Sequence, residues 1–158
     1  IGSAATSTGA TAMGEATAAS GQNSFAGGFT STAGGRESFS FGQSNQTPSA
    51  MAVAFGLQNI SSGTASFVGG NNSTATNDSS FAFGNVTAAN ANYAVAFGNG
   101  TTSQGVASFA SGNQATAMGP GSVAMGNGCD ELKKRADLVT DNINDHGVYN
   151  ALKALKII

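Results

Sequence analysis

The side chains that most often hold metals or attack substrates are scarce in this sequence, which has one histidine, His146, and one cysteine, Cys129. A lone histidine cannot build a metal site within one chain, although three copies around an axis could; its spacing reads better as a polar residue on a helical seam. A single cysteine excludes an intrachain disulfide. Placed at a joint between two regions, it reads either as a buried thiol or as an interchain bond. Hydroxyls are everywhere, but no carboxylate stands near a base, so a Ser/His/Asp constellation finds no support. The glycines do not form G-x-G-x-x-G between a strand and a helix, and GNGTTSQG at 98–105 lacks the lysine of a phosphate loop. A calcium-binding repeat roll needs an Asp in each unit, and residues 1–128 offer only Asp78. The N-x-S/T sequons at Asn45, Asn59, Asn71, Asn72, Asn77, Asn85 and Asn99 are what a chain rich in Asn, Ser and Thr shows by accident. No enzyme, no cofactor and no metal is expected.

The composition says what kind of element must carry any function. The chain has 158 residues, 23 of them Gly and only 2 Pro, with 9% charged residues, against roughly 25% in an ordinary globular domain. Ten Phe residues argue that something is buried, which disfavours disorder. Glycine does not recur every third residue, so this is not collagen. A net charge of −2 gives no basic footprint for nucleic acid. No apolar run approaches the roughly 18 residues of a membrane helix. Charge is also unevenly placed. Residues 1–128 contain only Glu15, Arg36, Glu37 and Asp78, whereas residues 129–158 hold the other ten charges, five of each sign. Two regions are expected, 1–128 and 129–158.

The first region is built on a 14-residue ruler. Gly14, Gly28, Gly42, Gly56, Gly70, Gly84, Gly98, Gly112 and Gly126 are spaced 14 apart with no insertion or deletion. Seven residues before each lies Ser7, Gly21, Gly35, Ser49, Gly63, Asn77, Ala91, Gly105 or Gly119, small or turn-forming. Each unit thus reads as two short extended segments, each closed by a turn. With the ruler glycine numbered 14, positions 10 and 12 are Ala, Ser or once Val68, and position 5 is Ala, Ser or Thr. Position 11 carries Phe or Val in every unit but the first, which has Thr11. Successive strand residues face opposite sides. The economical reading is a flattened coil with small residues between two close strands and large apolar residues pointing out.

Stacked at about 4.8 Å per coil, nine coils make a rod on the order of 40 Å long with one aromatic stripe. A soluble monomer rarely exposes so continuous a patch, so copies of the same chain are expected to cover it. Position 13, reading Met13, Gly27, Phe41, Phe55, Gly69, Phe83, Phe97, Ser111 and Met125, points the same way and shows a three-unit superperiod in which bulk offsets smallness. The alternative, in which the Phe residues fill the coil's own core, leaves the uniformly small opposite face unexplained.

The units AVAFGNG at 94–100 and SVAMGNG at 122–128 resemble the SVAIG-type repeat of YadA-like head domains of trimeric autotransporter adhesins, over roughly residues 10–128. The resemblance implies a left-handed parallel β-roll, three chains to a trimer, with the larger apolar residues of the motif toward the trimer interior. Val95 and Phe97, and Val123 and Met125, match those residues. Carried along the ruler, the expected interface comprises Phe25, Phe39, Phe41, Val53, Phe55, Phe67, Phe81, Phe83, Val95, Phe97, Phe109, Val123 and Met125.

In the second region the period changes. Asp130 is a helix N-cap candidate, and Leu132, Ala136, Val139, Ile143 and His146 step by 4, 3, 4 and 3 as a coiled-coil seam does. Gly147 interrupts, and Val148, Leu152 and Leu155 resume with a changed offset. The start of a parallel stalk is expected, with a helix folded back over the last coil as the alternative. The expected function is an extracellular, non-catalytic fibre head presenting a neutral, hydroxyl-rich surface. Family resemblance implies host-matrix or cell-surface ligands, with outer-membrane anchoring through a region absent from this chain. No signal peptide or membrane anchor is read, and the chain opens on Ile1 and not on Met, as either a mature fragment or an excised piece of a longer chain would. The rivals are a structural module of a surface appendage or viral fibre, and an ice-binding solenoid. The latter is disfavoured by the mixed outer column Ala4, Ala18, Thr32, Gln46, Ile60, Thr74, Ala88, Thr102 and Thr116.

Overall fold

The computed structural model describes residues 2–125, together with Lys153. The described coils belong to a unit spanning Ile1–Gly126. The region boundary expected at 128/129 lies outside the described residues.

Each 14-residue unit makes one coil with one short and one long strand. The short strands are β1 (Ala4–Ala5), β3 (Ala18–Ala19), β5 (Thr32–Ala33), β7 (Gln46–Thr47), β9 (Ile60–Ser61), β11 (Thr74–Ala75), β13 (Ala88–Ala89), β15 (Thr102–Ser103) and β17 (Thr116–Ala117). The long strands are β2 (Thr11–Glu15), β4 (Phe25–Phe29), β6 (Phe39–Gln43), β8 (Val53–Leu57), β10 (Phe67–Asn71), β12 (Phe81–Asn85), β14 (Val95–Asn99), β16 (Phe109–Asn113) and β18 (Val123–Met125). They form two parallel nine-stranded sheets, one of odd- and one of even-numbered strands up to β17 and β18. Every pairing joins residues 14 apart, as in Phe67 with Phe81 and Gly70 with Gly84. This is an all-β parallel solenoid, and because its rungs are in perfect register, each position of the unit becomes a column.

The core is as thin as the sequence requires. Ala26, Ala54, Val68, Ala82, Ala96 and Ala110 at position 12, and Ala19, Ala33, Ala75 and Ala89 at position 5, are fully buried between the two sheets. Val68 is the largest of the fully buried side chains. Ser24, Ser38, Ser66, Ser80 and Ser108 at position 10 are buried beside them. Four of these, Ser38, Ser66, Ser80 and Ser108, donate to the carbonyl three residues back, which closes the turn internally.

The ruler glycines have a steric cause. Gly14 through Gly112 hold φ between 100° and 144°, a region that β-carbons disfavour. A β-carbon on Gly56 would also collide with the carbonyl oxygen of Gly70 in the next coil, and the same holds along the column. Each coil bends twice more through left-handed residues, at positions 2 and 9, and fourteen of these are not glycine. Thr30 and Val86 are β-branched and still adopt φ of 54°. That conformation is held by the neighbouring coil, since the N–H of Thr30 donates to the Glu15 carbonyl at 2.9 Å and that of Val86 to Asn71 at 2.9 Å. Stacking thus overrides local preference.

One interior column was not anticipated. Position 3 is buried from the second coil onward, and in coils four and five it holds Asn45 and Asn59. Nδ2 of Asn45 donates to the carbonyls of Phe41 and Gly56, both at 2.8 Å. Its Oδ1 accepts the N–H of Asn59 at 2.9 Å. Asn59 repeats the pattern toward Phe55, Gly70 and Ser73, and Ser73 Oγ accepts the N–H of Thr87 at 3.1 Å. These side chains satisfy main-chain groups at a corner where no strand ladder can.

Candidate functional site

The outward side of the long-strand sheet is the chain's distinctive surface. Position 12 turns inward, so positions 11 and 13 turn outward, and all thirteen residues named from the ruler as interface candidates lie on that one face. Phe41 and Phe97 are each 50% exposed, and Met125 is 74% exposed. Phe25, Val53, Phe55, Phe67, Phe81, Phe83 and Val95 are half-buried, chiefly by one another.

Register creates ring stacking. Phe67 and Phe81, paired across β10 and β12, lie with centroids 4.9 Å apart and planes 1° from parallel. Phe25 and Phe39 stack at 5.1 Å and Phe83 and Phe97 at 5.6 Å. Phe55 meets Phe67 edge-on at 5.4 Å. The position-13 glycines follow from the same crowding. A β-carbon at Gly27 would strike the rings of Phe41 and Phe25, and one at Gly69 those of Phe83 and Phe55. The superperiod therefore leaves room for rings leaning in from neighbouring coils.

Beside this face runs position 1, where Asn71, Asn85, Asn99 and Asn113 form an exposed ladder. Nδ2 of each donates to Oδ1 of the next at 3.1, 2.8 and 3.0 Å. The described coils carry few charges: Arg36 and Glu37 approach each other at 3.9 Å on the surface, and Glu15 and Asp78 are exposed. No cluster of three or more potential metal ligands occurs among the described residues. An array of rings and amides has no group to exchange a proton or attack a bond; what it offers is apolar burial and neutral hydrogen bonding.

The sequons divide by burial. Asn45 and Asn59 are fully buried and bonded within the coil, so they are structural residues and no glycan fits on them. Asn71, Asn72, Asn85 and Asn99 are exposed. The expected seam residues Leu132, Ala136, Val139, Ile143, Leu152 and Leu155, and also Cys129 and His146, lie outside the described residues. What sequence reasoning missed is the position-3 column. Its signal was the pair of asparagines standing three residues after consecutive ruler glycines.

Comparison with known proteins agrees with this geometry. The family model of the YadA head domain repeat matches residues 5–31, 75–101 and 103–128. A haloacid dehalogenase-like hydrolase model matches residues 120–152, most of which lie outside the described residues. No curated protein matches the chain. Head domains of the YadA type are surface modules of trimeric autotransporter adhesins. With 14-residue coils stacked in register and the repeat model matching half of its length, the chain belongs to the YadA head domain family.

Proposed function

We propose that this chain is the non-catalytic head of an extracellular adhesin, a left-handed roll assembled as a homotrimer and attaching its bearer to host matrix or cell surfaces. The observation that carries the reading is the aromatic face. Rings that stack along the rod still leave Phe41, Phe97 and Met125 at least half open to water, and burial of apolar area is the main driving force for association. Three copies meeting along that face would cover it and leave the neutral Ser/Thr/Asn/Gln surfaces outward. Residues 129–158 then continue as a helical stalk, with Leu132, Ala136, Val139 and Ile143 on its seam. The same reading has the head anchored at the outer membrane.

Light scattering on the purified chain tests the assembly. A mass three times the 15.4 kDa of one chain is expected, and a stable folded monomer would remove the basis of the proposal. Beads coated with the chain should adhere to cultured cell layers or a matrix-protein coat, and beads coated with Phe81→Asp should adhere less, because dissociation removes multivalency.

A further inference from the structure

We infer that the turn at Tyr93 is a recognition site for a neutral pyranose of a surface glycan. This rests on the adhesive reading above and names the chemistry of its ligand. Tyr93 sits at position 9 of coil seven, before β14, in the left-handed conformation with φ 61°. That conformation suits Gly or Asn, and other coils place Gly9, Asn23 and Gly121 there, while Glu37, Met51, Ala65, Ser79 and Ala107 adopt it as Tyr93 does. A bulky residue takes it at a steric cost. Tyr93 buries little to offset this, since it is 61% exposed and no described aromatic ring stacks on it. Its column neighbours, Ser79 in coil six and Ala107 in coil eight, are small and share its backbone conformation. Most of the Tyr93 surface is therefore open to solvent.

Polar residues on the same turn and on the turn of the coil beneath complete the site. Asn92, the preceding residue, is exposed, and its amide bonds to no described residue. Beneath it in the column lies Asp78, exposed, whose Oδ1 accepts the Thr64 N–H of the preceding coil at 2.9 Å. Asn90 is exposed and accepts only from Thr76 Oγ1, at 3.4 Å. The platform itself is fixed, because the Tyr93 N–H donates to the Asp78 carbonyl at 3.0 Å and the Ala107 N–H to the Asn92 carbonyl at 2.9 Å. An exposed aromatic ring with a donor–acceptor amide on its own turn and a carboxylate on the turn beneath matches a pyranose, whose C–H face packs on a ring while its hydroxyls bond at the edge. Preorganisation on stacked coils lowers the ordering cost of binding.

The test separates fold from ligand, because the two respond oppositely. Tyr93→Gly relieves the backbone, so its melting temperature should equal or exceed that of the wild type. On immobilised neutral oligosaccharides ending in galactose, glucose, mannose or N-acetylglucosamine, it should lose retention about tenfold. Tyr93→Phe keeps the ring and should retain binding, and Asn92→Ala should weaken it. Retention unchanged in Tyr93→Gly, or no retention of the wild type on any of these sugars, overturns the site. A matrix-protein coat stripped of its glycans distinguishes the failures. If wild type and Tyr93→Gly adhere to it equally, the partner is a protein surface and only the glycan site falls. If the wild type adheres neither to the sugars nor to the coat before or after stripping, the adhesive reading falls too.

Discussion

Replacing Asn59 by alanine should be among the costliest single truncations in the roll, although the residue is polar and adds nothing to an apolar core. Its side chain is fully buried and makes three hydrogen bonds, donating to Phe55 and Gly70 at 2.9 and 2.8 Å and accepting from the Ser73 N–H at 2.9 Å. The two carbonyls each lose a bond worth about 0.5–1.5 kcal/mol net, and the Ser73 N–H, itself buried, is left without an acceptor at about 1–3 kcal/mol. The expected loss is about 3–5 kcal/mol. Asn85→Ala, in the exposed ladder, is the matched control and should stay within about 0.5 kcal/mol. Denaturant unfolding of both variants at one protein concentration gives the comparison, since association would couple to stability. Amide hydrogen exchange localises it: the Ser73 amide should lose protection in Asn59→Ala alone. Equal, small shifts for the two variants, with Ser73 still protected, would show that the interior ladder does not hold the corner together.

Four further outcomes follow from the same columns. Phe81→Asp should dissociate the assembly and Phe81→Ala should cost several kcal/mol, about 3–5 for a buried ring; unchanged mass and melting in both would make position 11 solvent-facing in solution. Ala96→Leu overpacks the space between the sheets and should cost about 1–3 kcal/mol or more, whereas Thr102→Leu on the outer column should shift thermal unfolding little. Gly56→Ala forces a β-carbon into the Gly70 carbonyl and should prevent normal stacking, read as loss of the cooperative thermal transition. Thr101→Asn should stabilise by about 1 kcal/mol, because the Thr101 hydroxyl is buried without a partner and an asparagine there can repeat the bonds of Asn59.

The repeat, the two strands per coil, the inward small positions and the outward aromatic column were all legible because each is a matter of period. A 14-residue ruler without insertions fixes register, and alternation within FAFGN or VAFGN fixes direction. The corners were not legible. Glu37, Met51 and Val86 carry no mark of a left-handed residue, yet φ is 54–58° at all three. Their conformation is imposed by hydrogen bonds from the adjacent coil, which no local window contains. The same corner hides the role of Asn45 and Asn59. Three residues after a glycine and two before a Thr or Ser, an asparagine reads as an exposed turn or a sequon. The left-handed residue before it, Ser44 or Gln58, turns its side chain inward instead.

Within a coil position 13 is the more open of the two columns where they differ in bulk least, with Phe41 50% exposed against 39% for Phe39 and Met125 74% against 63% for Val123. In the proposed trimer it is therefore position 13 that stands nearest the axis. A column of nine large residues there would place three rings at every level, which is more than a straight axis holds at the density of a protein interior. The sequence instead places Gly27, Gly69 and Ser111 three coils apart. At the first two, rings from the same chain lean into the vacated level. Bulk is thus redistributed along the rod instead of removed from it: the glycines make room for rings of the same chain, and in the proposed trimer the same 42-residue spacing also eases the fit of three chains around one line.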